Sequence, residues 1–218
     1  ADLLLRRINE LLTIRKLETQ HMKAELKNRE VVSFIRAIVS LFEEHVRTRN
    51  LQLSFRSDLD SFNMDLDPEK TEKIIYNLLS NAVKFTHSYI DVSLGIVTEG
   101  GDRKLCISVR DDGCGISPED QTRIFDRFYQ CEGSESFETG TGIGLNMAQE
   151  LAHVLGGEIS VESEPGQGST FLLRLPITGV ADLPADNNGG QEEENEKQPI
   201  LLVIDDNSDM LYYMKELL

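Results

Sequence analysis

The spacing of apolar residues changes repeatedly along this chain, and these changes constrain its fold more than any other feature. Between residues 51 and 66 apolar residues alternate with polar ones, which predicts two β-strands. Asp67 and Pro68 then supply an N-cap and a first helical residue, and the helix that they begin should run to about Phe85. Two later hairpins are predicted, with strands at 89–97 and 104–110 and at 158–163 and 169–175. Helices interleaved with hairpins predict an α+β fold, a two-layer sandwich whose mixed, mostly antiparallel sheet is covered by helices on one face.

Further helices are predicted where apolar residues recur every three or four positions. They lie at 2–18, 31–48 and 141–155, and an alternating stretch at 22–26 predicts an edge strand. We therefore expect a domain at 21–177 that is preceded by a long helix within 1–20.

The end of the chain differs in composition from this domain. Residues 178–198 contain almost no aliphatic side chains and many acidic ones, which predicts a flexible acidic linker. Residues 199–218 regain an apolar strand, followed by Asp205 and Asp206 and by a helix that begins near Ser208. This last segment predicts the start of another domain, of which only a strand and a helix are present.

Composition excludes several classes of protein. A formal net charge of -16 argues against a nucleic-acid-binding face, although backbone amides, one lysine and a metal ion can still hold phosphate. No apolar run approaches the roughly 20 residues that a membrane helix needs, and the N-terminal segment does not resemble a secretory signal. Three cysteines without paired spacing fit a reducing cytoplasm.

The helix after Pro68 carries the first candidate site. Asn77, Asn81 and Lys84 share one helical face, while apolar residues fall on the other. Amide oxygens are suitable ligands for Mg²⁺, and an ammonium group neutralises phosphate, so this face suits a magnesium triphosphate. A solvated polar face is the alternative, and taken alone it is the better interpretation.

Two glycine-rich segments are the next candidates. In DDGCGI (111–116), Asp111 is placed to accept a hydrogen bond from the exocyclic amine of adenine, while Gly113 and Gly115 permit close approach of the backbone. In GTGIGL (140–145), alternating glycines open a helix, whose free N–H groups can bind phosphate. An ordinary acidic turn would also explain the first segment.

The segment between them, RIFDRFYQ (123–130), combines aromatic and basic residues. Phe125, Phe128 and Tyr129 are expected to anchor a loop, and Arg127 could reach a terminal phosphate. Plain core packing explains the phenylalanines equally well. The polar stretch that follows has no periodicity and predicts a lid over the nucleotide.

Taken in order, these four segments resemble the N, first-glycine, F and second-glycine boxes of sensor histidine kinases, within the superfamily of gyrase, Hsp90, MutL and these kinases. The resemblance covers roughly residues 30–176 and implies the Bergerat-type ATP-binding fold. It implies catalytic or phosphate-contacting roles for Asn77, Lys84 and Arg127, Mg²⁺ ligation through ATP by Asn81, and adenine recognition by Asp111. The other implied nucleotide contacts are Gly113, Gly115, Gly140, Thr141, Gly142, Gly144 and Leu145.

The resemblance also separates a kinase from a hydrolytic clamp of the gyrase or Hsp90 type. Hydrolytic members carry a glutamate on the N-box helix to activate water, whereas this chain has Asn77, and an amide cannot act as a general base. Glu72 lies on the same helix but more than two turns from Asn81. The expected activity is therefore ATP-dependent protein-histidine kinase activity, with the hydrolytic clamp as the alternative.

The resemblance implies partners for this domain. None of the four histidines lies in a phosphoacceptor motif, so the acceptor histidine is expected upstream, in a dimeric bundle whose second helix residues 1–20 resemble. Residues 199–218 resemble the opening of a receiver domain, with Asp205 and Asp206 as its acidic pair. A hybrid sensor kinase in two-component signalling follows, with a cytoplasmic catalytic domain and a parent protein anchored in the inner membrane.

Overall fold

The computed structural model of the protein describes residues 22–131 and 142–179. The predicted helix at 2–18, most of the linker at 178–198 and the predicted receiver segment at 199–218 lie outside these residues. The described helices and strands, in chain order, are β1 (Lys27–Glu30), α1 (Val31–Ser40), α2 (Glu43–Thr48), β2 (Gln52–Ser57), β3 (Asn63–Leu66), α3 (Pro68–Phe85), β4 (Tyr89–Glu99), β5 (Asp102–Asp111), α4 (Pro118–Gln121), α5 (Gly144–Val154), β6 (Glu158–Glu164) and β7 (Gly168–Pro176).

The main sheet has five strands in the order β2-β4-β5-β7-β6. Strands β2 and β4 are parallel, because the chain crosses over through β3 and α3 before it returns, and the other three pairings are antiparallel. Strands β1 and β3 form a separate antiparallel pair. The prediction of a mixed, mostly antiparallel sheet is confirmed.

The helices cover one face of this sheet. Strand β5 shows why, since Leu105, Ile107 and Val109 are fully buried while the alternate residues point to the other, more polar face. Helix α3 buries the apolar half of its surface against the sheet, through Ile74, Ile75, Leu78, Leu79, Ala82 and Val83. The two-layer sandwich predicted from the sequence is therefore the observed architecture.

Helix α3 begins as its sequence predicts. The carboxylate of Asp67 accepts a hydrogen bond from the Lys70 backbone N–H at 3.0 Å, and Pro68 occupies the first turn. Asp67 is only 1% exposed, and it also pairs with the Lys70 ammonium at 2.7 Å and with the Glu25 N–H at 2.8 Å. The start of the helix is thus fixed against the segment that precedes β1.

Three predicted elements differ from the structure. The edge strand expected at 22–26 is wrong, because the strand is Lys27–Glu30, a polar segment that is held by its backbone pairing with β3 and has no alternating buried face. The helix expected at 31–48 is interrupted after Ser40, where a turn buries Phe42 and exposes Leu41. The helix expected from residue 141 begins at Gly144.

Among the described residues, no helix is both long enough and apolar enough to cross a membrane.

Candidate functional site

The polar face of α3 meets the beginning of α5. Asn77, Asn81 and Lys84 are half-buried on this face. The Asn77 amide nitrogen donates to the Lys73 carbonyl at 2.8 Å, and the Asn77 oxygen lies 2.9 Å from where a Cβ on Gly144 would stand. The predicted N box and second-glycine box are therefore in direct contact, and a side chain at residue 144 would require the Asn77 amide to move.

The glycine loop after β5 meets the other end of α3. A Cβ on Gly113 would lie 2.3 Å from the Phe85 carbonyl oxygen, closer than any Cβ can approach. Since Phe85 is one helical turn beyond Asn81, the loop that follows Asp111 touches the helix beside the amide face. Gly115, with a φ of 69°, is similarly pressed against the Glu164 carbonyl.

Asp111 is a buried carboxylate at the end of β5. It is 4% exposed and accepts a hydrogen bond from the Gly113 backbone N–H at 2.9 Å. Burial raises the pKa of Asp111 above its ordinary value, although hydrogen bonds from Gly113 and Ser169 oppose the shift. Burial deprives this carboxylate of hydrogen bonds to water. It can therefore accept a hydrogen bond from the amine edge of a base in their place.

The neighbouring Asp112, which was not among the residues predicted from the sequence, fixes the connection between α3 and β4. Its carboxylate accepts hydrogen bonds from the Thr86 hydroxyl at 2.6 Å and from the N–H groups of His87, Ser88 and Tyr89 at 3.1, 2.9 and 3.1 Å. Partial burial opposes ionisation, but these hydrogen bonds outweigh it and lower the pKa of Asp112. The sequence signal for this role was the pair of adjacent acidic residues at 111–112, together with the hydrogen-bond donors of the Thr-His-Ser segment at 86–88.

The predicted F box lies against the start of α5. The Phe128 N–H donates to the Gly142 carbonyl at 2.8 Å, and the Asn146 amide donates to the Phe125 carbonyl at 2.9 Å. Phe125 and Tyr129 pack against the core, which fits the predicted loop anchor, although plain core packing explains Phe125 equally well. The same prediction is wrong for Phe128, which has a φ of 64° and a side chain that is 63% exposed. Its anchoring contact is the backbone hydrogen bond.

The remaining predicted residues are placed as follows. Gly142 has a φ of 67° and packs against the Phe128 backbone, and Leu145 is half-buried against the core. The Lys84 ammonium lies over the Phe85 ring at 4.7 Å, and Arg127 is exposed. Gly140 and Thr141 lie outside the described residues.

Asn146 is a second residue that was not predicted from the sequence. Its side chain is 7% exposed, and its amide oxygen has no hydrogen-bond partner among the described residues. It connects α5 to the F box through the hydrogen bond to Phe125. An asparagine two residues after a glycine at the start of a helix gives no distinctive sequence signal.

Two cavities among the described residues lie away from this site. A cavity of about 360 Å³ borders α2 and the start of β2, and a smaller one of about 80 Å³ lies beside β3 and the end of β7. None of the predicted site residues lines either cavity. The candidate site is therefore defined by the contacts that join its four boxes.

Comparison with known proteins identifies the family of this chain. The family described as "Histidine kinase-, DNA gyrase B-, and HSP90-like ATPase" matches residues 66–179. Histidine kinase P4 of Formosa agariphila is 32% identical over 181 residues, which are 81% of this chain and 13% of that protein. Sensor histidine kinase RcsC of Escherichia coli K12 is 34% identical over 192 residues, which are 82% of this chain and 19% of RcsC. The chain thus spans only a small part of the relatives it matches.

Solved structures show the same fold. Full-length ShkA in complex with AMPPNP superposes with a TM-score of 0.73 at 26% identity, covering 83% of this chain and 37% of ShkA. The catalytic domain of histidine kinase ThkA has a TM-score of 0.59 at 25% identity and covers 71% of this chain and 99% of that domain. The chain therefore belongs to the histidine kinase-, DNA gyrase B- and HSP90-like ATPase family, as an ATP-binding catalytic domain of the sensor histidine kinase type.

Proposed function

We propose that this domain binds Mg-ATP and presents the γ-phosphate to a histidine elsewhere in the same protein, which makes the parent protein a sensor histidine kinase. The observation that carries the proposal is the pair of contacts at the two ends of the α3 polar face. Gly144 meets Asn77 at one end, and the loop of Asp111 meets Phe85 at the other. A base and a triphosphate can then be held along a single face of the helix.

The donor set fits this substrate and a magnesium ion. The amide oxygens of Asn77 and Asn81 are suitable donors to Mg²⁺, and the Lys84 ammonium can neutralise phosphate charge. Mg²⁺ would supply charge neutralisation between the phosphate groups. Asp111 would select adenine through its exocyclic amine, and the N–H groups at the start of α5 would contact phosphate oxygens.

Phosphoryl transfer requires positioning and charge neutralisation more than it requires a base on the protein. The side chain at the position of a hydrolytic glutamate is Asn77, whose nitrogen is already bonded to the Lys73 carbonyl. Glu72 is exposed and lies nine residues before Asn81. This arrangement favours transfer to an acceptor over activation of water, and it disfavours the hydrolytic clamp.

The proposed partners are a phosphoacceptor bundle of the same protein, reached in cis or in trans within a dimer, and a receiver domain. A cytoplasmic location, where ATP is available, and a membrane-anchored parent belong to the same proposal. We also propose roles for Arg127 at the terminal phosphate and for Gly140, Thr141, Gly142 and Leu145 in the lid.

Calorimetry with AMPPNP, with and without Mg²⁺, tests the binding step. We expect binding that requires Mg²⁺ and that weakens strongly when GTP replaces ATP, since guanine presents a carbonyl where adenine presents its amine. A phosphate-release assay on the isolated chain should remain at background, and steady turnover would instead support the hydrolytic clamp. In the full-length protein, Lys84→Ala should reduce acid-labile phosphohistidine, and normal labelling would exclude the role proposed for Lys84.

A further inference from the structure

The turn between β6 and β7 packs against the glycine loop (111–116) that follows β5. The Gly166 N–H donates to the Cys114 carbonyl at 2.7 Å. Gly168 has a φ of 85°, and a Cβ on it would overlap the Asp111 carbonyl oxygen. The loop that begins with the proposed adenine acceptor is therefore in contact with this turn as well as with α3.

The hydroxyl of Ser163, near the end of β6, connects the glycine loop to this turn. It accepts a hydrogen bond from the Ile116 N–H at 2.8 Å and donates its proton to the Gly168 carbonyl at 2.7 Å. The Ser169 hydroxyl lies 3.1 Å away. A hydroxyl has one proton and two acceptor sites, so Ser169 donates in this contact, and the hydrogen-bonding capacity of Ser163 is fully used.

The side chain of Gln121 holds the same end of the glycine loop from α4. Its amide nitrogen donates to the Ile116 carbonyl at 2.9 Å and to the Ser163 carbonyl at 2.8 Å. Both backbone groups of Ile116 are thus bonded to this pair of residues, the N–H to Ser163 and the carbonyl to Gln121. Both side chains are half-buried, so the loss of either would leave polar groups of the loop without a partner.

Asp111 lies beside these hydrogen bonds. It is opposite Ser169 in the pairing of β5 with β7, and Ser169 is only 7% exposed. Ser163 therefore bonds to the far end of the loop that Asp111 begins and to the residue that Asp111 faces across the sheet.

We propose that Ser163, supported by Gln121, is a positioning residue that sets the adenine preference of the nucleotide site, an inference that rests on the proposed function. Its effect is indirect, because it keeps Asp111 at the distance and angle that a hydrogen bond to an exocyclic amine requires. Hydrogen bonds weaken steeply as their angle departs from linearity. A small displacement of the loop should therefore reduce recognition of the base more than binding of the phosphate groups, which residues on α3 and α5 are proposed to hold.

Competition of ADP and IDP with a fluorescent ATP analogue, on the whole chain with Mg²⁺, tests this proposal. The two diphosphates share their ribose and phosphates, but IDP has a carbonyl where adenine has its exocyclic amine. We expect the unsubstituted chain to prefer ADP. Ser163→Ala should reduce that preference by about three- to tenfold, the equivalent of one ordinary hydrogen bond, while the affinity for IDP changes little. Ser163→Thr keeps the hydroxyl and should restore the preference.

Ser160→Ala is the matched control. Ser160 is also a half-buried serine of β6 with a hydrogen-bonded hydroxyl, but its partner is the Arg174 guanidinium, at 2.7 Å. This variant should leave the ADP preference unchanged. Gln121→Met removes both bonds that Gln121 donates and should act in the same direction as Ser163→Ala, whose place it takes if Ser163→Ala does not fold.

A Ser163→Ala chain that keeps the full ADP preference would overturn the proposal. Equal weakening of ADP and IDP would also overturn it, because that is the result of a purely structural role. An equal loss of preference in Ser160→Ala would have the same consequence. If the unsubstituted chain itself binds ADP and IDP equally, or binds neither, the proposed function is contradicted, and this inference with it.

Discussion

Asp111→Asn should weaken nucleotide binding while it stabilises the fold. Because nucleotide affinity and the free energy of unfolding should change in opposite directions, this substitution tests the candidate site. Asparagine preserves the shape of the side chain and keeps an oxygen that can accept from the Gly113 N–H, now 2.9 Å away. The substitution removes the negative charge from a side chain that is only 4% exposed. In the free chain, the substitution therefore removes the cost of holding a charge away from water. In the complex, it removes the carboxylate that accepts the hydrogen bond from adenine.

The expected magnitudes follow from these contacts. A charge-assisted hydrogen bond to the adenine amine contributes about 1.5–3 kcal/mol, so its loss should raise Kd by about 10- to 150-fold. Relief of the desolvation penalty, partly offset by the lost hydrogen bond from Ser169, should raise the free energy of unfolding by about 1 kcal/mol. In a domain of this size that corresponds to an increase in Tm of about 2–4 °C.

The pH dependence of stability provides a second signature. Because the pKa of Asp111 is raised in the folded state, its contribution to stability falls as pH rises from the ordinary carboxyl range through the raised pKa. Asp111→Asn should lack that decline. Asp112 has a lowered pKa, so its stabilising contribution is present above the ordinary carboxyl range and is lost as pH falls below it.

Thermal melts followed by circular dichroism and calorimetry with AMPPNP measure the two effects on one preparation. Asp112→Asn is the matched control, because it changes the adjacent carboxylate in the same way and should lower Tm by disrupting the hydrogen bonds to residues 86–89. A lowered Tm for Asp111→Asn together with an unchanged Kd would refute the assignment of Asp111 as the buried acceptor for adenine.

Three further substitutions test other contacts. Gly113→Ala places a Cβ 2.3 Å from the Phe85 carbonyl and should destabilise the chain by at least about 1–3 kcal/mol in urea denaturation, whereas an unchanged midpoint would contradict the close contact. Asn81→Ala should leave Tm nearly unchanged but abolish the Mg²⁺ dependence of AMPPNP binding, and retention of that dependence would exclude Asn81 as the ligand. Asp67→Ala leaves the buried Lys70 ammonium without its partner and should cost about 3–5 kcal/mol by urea denaturation, while a cost below about 1 kcal/mol would show that Lys70 reaches solvent.

The sequence predicted most elements of the fold because local signals and tertiary packing agree there. Asp67 and Pro68 mark the start of α3 at the level of single residues, and strict alternation along β5 matches the buried face of the sheet. The strand at Lys27–Glu30 was missed because it has no buried face, and only its partner β3 determines it. The break after Ser40 depends on the burial of Phe42, which helical periodicity does not reveal.

The candidate site also contains residues that the sequence predicted and residues that it did not. Asn77, Asp111 and Gly113 were predicted as candidate residues from the sequence, because their residue types carry chemistry and are unusual at their positions. Asp112 and Asn146 act by holding loops in place, and each depends on partners that are distant in sequence. Their importance is visible only once the connection after α3 and the F box are brought together in space.

The short strand β3 has the beginning of the described domain on one side and its end on the other. Asn28 of β1 lies opposite Asp65, and on the other side the Asp65 N–H donates to the Thr178 carbonyl at 2.9 Å. Two strand spacings of about 4.8 Å therefore separate Asn28 from Thr178. A short linker between these two segments would therefore suit a circular permutation of the described domain, or its insertion into a surface loop of another protein.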